Sequence, residues 1–170
     1  MRRVLLFVLC AVFLSNGLYA QKIRLREIDK FSKKERVETS VETLYTTMFL
    51  GSQGYYMKVK AQRVDSVYTL HASIAFPEIT KYADGNGIML LLDNEETIYL
   101  TSMYTGLSSP MFVDGPITFD TSFSLTKSDV EKLKTHEVTD VRIVYIDGYY
   151  DREIKDKKRT LIKKMLNLLD

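Results

Sequence analysis

The sequence predicts an α+β fold, in which an antiparallel sheet of about seven or eight strands carries a short helix and a long C-terminal helix on one face. Three features predict this fold. Several segments alternate apolar and polar residues with the period of a strand, turn residues separate neighbouring segments, and a basic amphipathic stretch closes the chain. A β-sandwich or barrel with the last helix across one end is the alternative that the same order of elements allows.

The clearest strand pair is a hairpin around Asp65 and Ser66. Residues 55–62 and 69–76 each alternate apolar with polar side chains, and a two-residue turn between them pairs like with like. The predicted apolar pairs are Tyr55 with Phe76, Met57 with Ile74, Val59 with Ala72 and Ala61 with Leu70. The predicted polar pairs are Lys58 with Ser73, Lys60 with His71 and Gln62 with Thr69. A shift by one residue would break both sets, so the sequence specifies this register.

The other segments before residue 117 are simpler. Residues 23–28 and 36–45 are expected to form the first two strands. Residues 88–92 are apolar throughout, which predicts a strand covered on both faces, and residues 97–101 form the strand that returns from it. Residues 102–116 hold two prolines and two glycines and are expected to be an irregular loop.

The C-terminal third is expected to continue as strand, helix and strand. Residues 117–125 alternate as a strand. Thr126 and Ser128 are both good N-caps, and Ser128 with Glu131 fits a capping box for a short helix over residues 127–134. The following strand places Val141, Ile143 and Tyr145 on one face and ends at a turn formed by Asp147 and Gly148.

The last segment is predicted to be one long helix that Asp151 caps. Its apolar residues recur at helical spacing and form a single stripe, which needs an apolar surface such as a sheet beneath it. The stripe consists of Ile154, Leu161, Ile162, Met165, Leu168 and Leu169.

The N-terminus predicts export. Arg2 and Arg3 precede an apolar run over residues 4–14, and Ala20 places a small residue at a cleavage position, as in a secretory signal peptide. We therefore expect residues 1–20 to be a signal peptide. The expected destination is the periplasm or the outside of the cell.

Removal of this signal would define the mature chain, residues 21–170, which is expected to be a single domain. The sole cysteine, Cys10, would leave with the signal, so no disulfide would support the fold. Loss of Arg2 and Arg3 would leave 22 basic and 22 acidic residues. A balanced charge gives no general attraction to nucleic acid or to an anionic membrane, and no stable membrane insertion is expected after signal removal.

Three patches of the sequence resemble a group of small exported proteins of unknown function from Bacteroidota-type gut bacteria. The patches are EIDKFS at 27–32 followed by TS at 39–40, LLLDNE at 90–95, and LT at 125–126 through VTDVRI at 138–143 to the basic final segment. Gln21, directly after the cleavage point, is also common in that group. The resemblance implies export and a one-domain fold, and it carries no activity or site residues over to this chain.

Known catalytic and metal-binding patterns are not found in the sequence. Its two histidines are His71 and His136. His136 with Asp140 could supply part of a Ser–His–Asp triad, but neither histidine accompanies a nucleophile motif. Residues 84–87 begin like a calcium loop, but apolar residues follow where a ligand and a glycine are needed. We therefore expect no catalytic residues, no metal site and no cofactor.

The function that these features favour is non-catalytic binding. The polar side of the hairpin stays open if the helices cover its apolar side, and tyrosines on such a face can contact sugars or proteins. The expected binding residues are Tyr56, Lys60, His71 and Ser73. The expected partner is an envelope protein, a peptide or a glycan. A small hydrolase that uses carboxylates near the loop at 102–116, in the periplasm or outside the cell, is the alternative function.

Overall fold

The computed structural model describes residues 22–49, 52–77, 86–103, 106–108 and 118–170. The strands in these ranges are β1 Ile23–Ile28, β2 Glu35–Thr39, β3 Glu42–Phe49, β4 Ser52–Val64, β5 Val67–Ala75, β6 Gly87–Leu92, β7 Thr97–Thr101, β8 Gly106–Ser108, β9 Thr118–Leu125, β10 Val138–Tyr145 and β11 Gly148–Glu153. The helices are α1 Lys127–Thr135, α2 Asp156–Arg159 and α3 Leu161–Leu168. Residues 1–20, including Cys10, and residues 84–85 of the calcium-like segment lie outside the described ranges.

The strands form two antiparallel sheets. The large sheet has seven strands in the order β1-β2-β4-β5-β9-β8, with β3 also paired to β4, and the small sheet has the order β11-β10-β6-β7. The prediction of an antiparallel α+β fold that ends in a helix is confirmed. The prediction of one sheet is wrong. In a single-sheet fold only the helices would cover the apolar face of the sheet, whereas here the apolar faces of two sheets contribute to one core.

A single hydrophobic core joins both sheets and the helices. The large sheet contributes Val59, Leu70 and Phe123, and the small sheet contributes Leu90 and Ile143. The helices add Leu133, Ile162, Met165 and Leu166 to the same cluster. Helices α1 and α3 pack on each other and reach β9 and β4, so the helical layer lies against the large sheet. Among the described residues, no helix is long and apolar enough to cross a membrane.

The hairpin of β4 and β5 has the predicted register. Met57 faces Ile74, Val59 faces Ala72 and Ala61 faces Leu70, and the polar partners also meet as expected. Tyr55 and Phe76 lie beyond the last ladder pair, Tyr56 with Ala75. The two-residue turn is possible because Asp65 adopts the left-handed conformation, with φ of 55°, which aspartate tolerates better than most residues.

The predicted strand over residues 36–45 is divided into β2 and β3. Both pair with β4, but the register shifts between them, and Val41 at the interruption is 49% exposed. The hydroxyl of Thr39 bridges the interruption, because its Oγ1 accepts a hydrogen bond of 3.0 Å from the backbone N–H of Ala61. Thr47 makes a similar contact, because its Oγ1 accepts a hydrogen bond of 2.8 Å from the backbone N–H of Tyr55.

Two further expectations need correction before residue 117. Strand β6 is buried on one face only, because Leu91 is 37% exposed and Met89 is half-buried. The segment at 102–116 is not wholly irregular, since Gly106–Ser108 forms β8 at the edge of the large sheet. Ser102 also bridges to Phe123 of β9, so the chain passes directly from the small sheet to the large one.

The C-terminal third also departs from its predicted details. Helix α1 begins at Lys127 as predicted, but its capping box uses Thr126 as N-cap and Asp129 as the reciprocal partner, so Ser128 and Glu131 do not form the box. The segment after Asp147 and Gly148 returns as β11 and does not start a helix. Its aromatic residues favour a strand that pairs with β10.

The final helix is short and interrupted. Asp151 does not cap it, because this residue lies in β11 and accepts two hydrogen bonds of 2.7 Å from Arg142. Thr160 separates α2 from α3. The apolar stripe is nevertheless buried, with Leu166 inside and Leu168 only half-buried, because the interruption rotates the last helix relative to one continuous helix.

Candidate binding site on the outer face of the large sheet

The four residues predicted to bind lie together on the outer face of β4 and β5. Lys60, His71 and Ser73 line one shallow concavity of about 310 Å³. Tyr56 does not line the concavity but lies beside it on β4, where Ser73 is near enough to affect the pKa of its hydroxyl. The strand period explains this convergence, because alternate residues of the same two strands, such as Val59, fill the core on the opposite side.

The concavity extends beyond the predicted residues. Val41, at the interruption between β2 and β3, lines one side, and Asp120 and Ser122 of β9 line the other. The sequence showed the alternation of residues 117–125 but not that β9 is the neighbour of β5. The observed register places Ser122 directly opposite His71 and Asp120 opposite Ser73.

His71 is held between two side chains from neighbouring strands. Its Nε2 lies 2.6 Å from Oε1 of Gln62, and its Nδ1 lies 2.7 Å from Oγ of Ser122. Because the Gln62 oxygen only accepts, Nε2 carries the proton and Ser122 donates to Nδ1. Burial, and next the positive charge of Lys60, hold the pKa of His71 below its usual value, so the ring is neutral near pH 7.

Glu38 of β2 forms ion pairs with Arg36 and Lys60 near this histidine. Glu38 is almost fully buried, at 4% residue exposure. Its carboxylate accepts a hydrogen bond of 2.9 Å from Nε of Arg36 and one of 3.2 Å from Nζ of Lys60. Burial alone would raise the pKa of Glu38, but the hydrogen bonds and charges of Arg36 and Lys60 together hold that pKa below its usual value. The carboxylate therefore stays ionised and paired.

Two further charges lie at the concavity, the ammonium of Lys58 and the exposed carboxylate of Asp120. The ammonium of Lys58 lies 4.7 Å from the ring centroid of Tyr56, in a cation–π contact. Burial, and next the negative charge of Asp120, raise the pKa of Tyr56, so its hydroxyl remains protonated. The site therefore offers hydroxyls, an imidazole, the paired ammonium of Lys60 and the exposed carboxylate of Asp120.

This arrangement is poorly suited to nucleophilic catalysis. Ser122 and His71 resemble the first two members of a triad, but the third partner is the amide of Gln62. An amide carries no negative charge to stabilise an imidazolium, and the lowered pKa of His71 opposes formation of that cation. His136 is unrelated to this site. Its Nδ1 lies 2.8 Å from Oδ1 of Asp93 in a surface turn.

Within the described ranges, no group of three or more His, Cys, Asp or Glu side chains is arranged to hold a metal ion. Most of the segment at 102–116, where the alternative hydrolase was expected to carry its carboxylates, falls outside those ranges.

Comparison with protein-family models, with curated protein sequences and with solved structures returned no significant match. The function of the concavity is therefore argued from its own geometry and chemistry.

Proposed function

We propose that this chain is an exported, non-catalytic binding module and that the concavity on the outer face of the large sheet is its ligand site. One observation carries the proposal. Lys60, His71 and Ser73, with Ser122 from a third strand, line a single concavity on a sheet whose opposite face forms the core. Half-buried polar groups of this kind orient a ligand while the apolar margin at Val41 excludes water from it.

The ligand class that these groups favour is a neutral, hydroxyl-rich molecule such as a glycan. Lys60 is already paired with Glu38, and Lys58 lies over the ring of Tyr56. Both lysines at the site therefore have a partner within the protein, and neither is reserved for an anionic ligand. The hydroxyls of Ser73 and Ser122 and the ring of His71 can both donate and accept, which matches the alternating groups of a sugar. A tyrosine beside the concavity adds a surface on which a sugar ring can pack.

The charge state of Glu38 argues against hydrolysis at this site. A glycosidase needs a carboxyl group that is still protonated near neutral pH, together with a second carboxylate across the cleft. The pKa of Glu38 is lowered, and its two oxygens are engaged by Arg36 and Lys60. Asp120 is the other carboxylate at the site, and it is exposed.

The test is a ligand screen on the purified protein. Thermal shift is measured with soluble chitin and cellulose oligosaccharides, peptidoglycan fragments and divalent ions. We expect at least one oligosaccharide to raise Tm in a saturable way, and we expect His71→Ala or Ser73→Val to weaken its binding by about tenfold. Thr97→Ala, an exposed change on the small sheet, is the matched control and should leave binding unchanged.

Two outcomes would overturn the proposal. Cleavage of any bound oligosaccharide, followed by mass spectrometry, would replace binding with hydrolysis. Binding that survives both substitutions would place the ligand elsewhere. The proposed export is tested separately, by expressing the full chain and sequencing the N-terminus of the exported product, which should begin at Gln21.

A further inference from the structure

A second concave surface lies between the edges of the two sheets. This groove encloses about 600 Å³, and β3 forms one wall while the end of β11 and the start of α2 form the other. In the described part of the chain, β3 pairs with β4 and β11 pairs with β10, and no ladder joins β3 to β11. Both walls therefore present strand edges with backbone groups that can still form hydrogen bonds.

Two of the residues that line the groove each carry a buried polar atom without a hydrogen-bond partner among the described residues. These atoms are Oη of Tyr45 and Nε of Arg152. Tyr45 is only 7% exposed, and both residues line the groove. Burial raises the pKa of Tyr45, so its hydroxyl keeps its proton and can donate. Buried donors without partners are rare in folded proteins, and each one calls for a specific explanation, such as a group that it binds.

The wall opposite β3 is strongly basic. Arg152, Lys155, Lys157 and Lys158 line it, and Glu153 is the one acidic residue among the lining side chains. Glu153 already lies 3.2 Å from Arg159, which reduces its effect on the groove. Lys155 and Lys157 are exposed at the rim, so they attract a negatively charged partner without first losing their own hydration.

We propose that this groove binds an acidic segment of a partner protein in extended conformation. The segment adds to the open edge of β3 as a further strand, and its backbone forms the hydrogen bonds that give affinity. Its acidic side chains face the lysines of the opposite wall, which select acidic over basic sequences. The buried donors of Tyr45 and Arg152 receive oxygen atoms of the segment. This site is independent of the concavity on the outer face of the large sheet.

The first experiment measures peptide binding to the purified full chain by fluorescence anisotropy. The probe is a short fluorescent peptide of alternating threonine and glutamate. Its counterpart with lysine in place of glutamate tests charge, and a third peptide with alternate backbone amides methylated tests strand addition. We expect the acidic probe to bind at least about tenfold more tightly than either counterpart, with affinity that falls as salt is added.

Paired variants then locate the site. The double substitution Lys155→Glu with Lys157→Glu should weaken the acidic probe by about tenfold or more. The double substitution Lys127→Glu with Lys164→Glu makes the same change of charge on exposed helix positions outside the groove and should leave affinity nearly unchanged.

Tyr45→Phe separates recognition from folding. Removal of an unpartnered buried hydroxyl should raise Tm, and the same change should weaken the acidic probe, which a purely structural role of Tyr45 would not do. Amide signals of Thr43, Thr46 and Thr47 should shift when the probe binds.

Several results would overturn the proposal. They are equal binding of the methylated probe, equal weakening by the two double variants, or a stable dimer that buries β3 in the absence of any peptide. Because none of these readouts involves an oligosaccharide, failure here leaves the proposed function untouched, and the reverse also holds.

Discussion

Ser122 donates a hydrogen bond of 2.7 Å to Nδ1 of His71, although the two residues come from strands far apart in the sequence. This bond exists because β9 pairs with β5 in a register that places the two residues opposite each other. The bond joins the β4–β5 hairpin, whose polar face was predicted from the sequence, to β9. The sequence did not show that β9 contributes to this face.

The lowered pKa of His71 gives stability a defined dependence on pH. In the unfolded chain the imidazole of His71 is protonated with the ordinary histidine pKa of about 6.5, while in the folded protein its pKa is lower. The unfolded state therefore binds more protons once the pH falls below about 6.5, and stability drops there. His71→Asn should flatten this part of the curve. Urea unfolding between pH 7.5 and about pH 5 measures both proteins, and parallel curves would contradict the assigned environment.

Glu38 is expected to stabilise the fold through its two cationic partners. Glu38→Ala removes the acceptor of Arg36 and Lys60 and should cost about 1–3 kcal/mol, a range set low because both cations are partly exposed. Glu38→Gln keeps an acceptor oxygen and should cost less. Chemical denaturation at pH 7 compares the two variants. Equal stability of Glu38→Ala and the unmodified protein would show that the pair contributes nothing.

The hydroxyl of Thr39 is expected to replace a missing ladder bond at the interruption between β2 and β3. Thr39→Val leaves the buried N–H of Ala61 without its acceptor and should cost about 1–3 kcal/mol. Thr39→Ser retains the hydroxyl and serves as the control. Hydrogen exchange of the Ala61 amide should accelerate in the valine variant alone, and unchanged protection would mean that another group accepts this bond.

The rotation of the last helix leads to a comparison of neighbouring leucines. Leu166→Ala should cost about 2–5 kcal/mol, because Leu166 is fully buried in the core. Leu168→Ala removes the same atoms from a half-buried position and should cost about 1 kcal/mol. A single continuous helix from Asp151 would favour burial of Leu168, so a reversed order of the two unfolding free energies would restore that earlier expectation.

Local patterns explain how much of this architecture the sequence could predict. The register of the β4 and β5 hairpin was predicted correctly, because a two-residue turn and two alternating faces leave one register. Helix α1 and the burial of Met165 followed from helical spacing. The division into two sheets could not be predicted in the same way, since it depends on which apolar faces meet across the core.

The errors share a physical cause. The last helix was predicted to begin after Asp151, which is a good N-cap, yet pairing with β10 gives Gly148–Glu153 a ladder and cross-strand contacts that outweigh the local preference. The site was found only in part for a similar reason. Lys60, His71 and Ser73 share one hairpin, whereas Ser122 and Asp120 reach them only through a long-range pairing.

The location of a bound oligosaccharide tests the central claim most directly. Amide chemical shifts of the isotope-labelled protein are followed while an oligosaccharide that raises Tm is added. If the concavity is the ligand site, we expect the largest saturable changes at Lys60, His71, Ser73 and Ser122. Changes centred on the small sheet or on β3, or an absence of saturable change with every oligosaccharide tried, would contradict it.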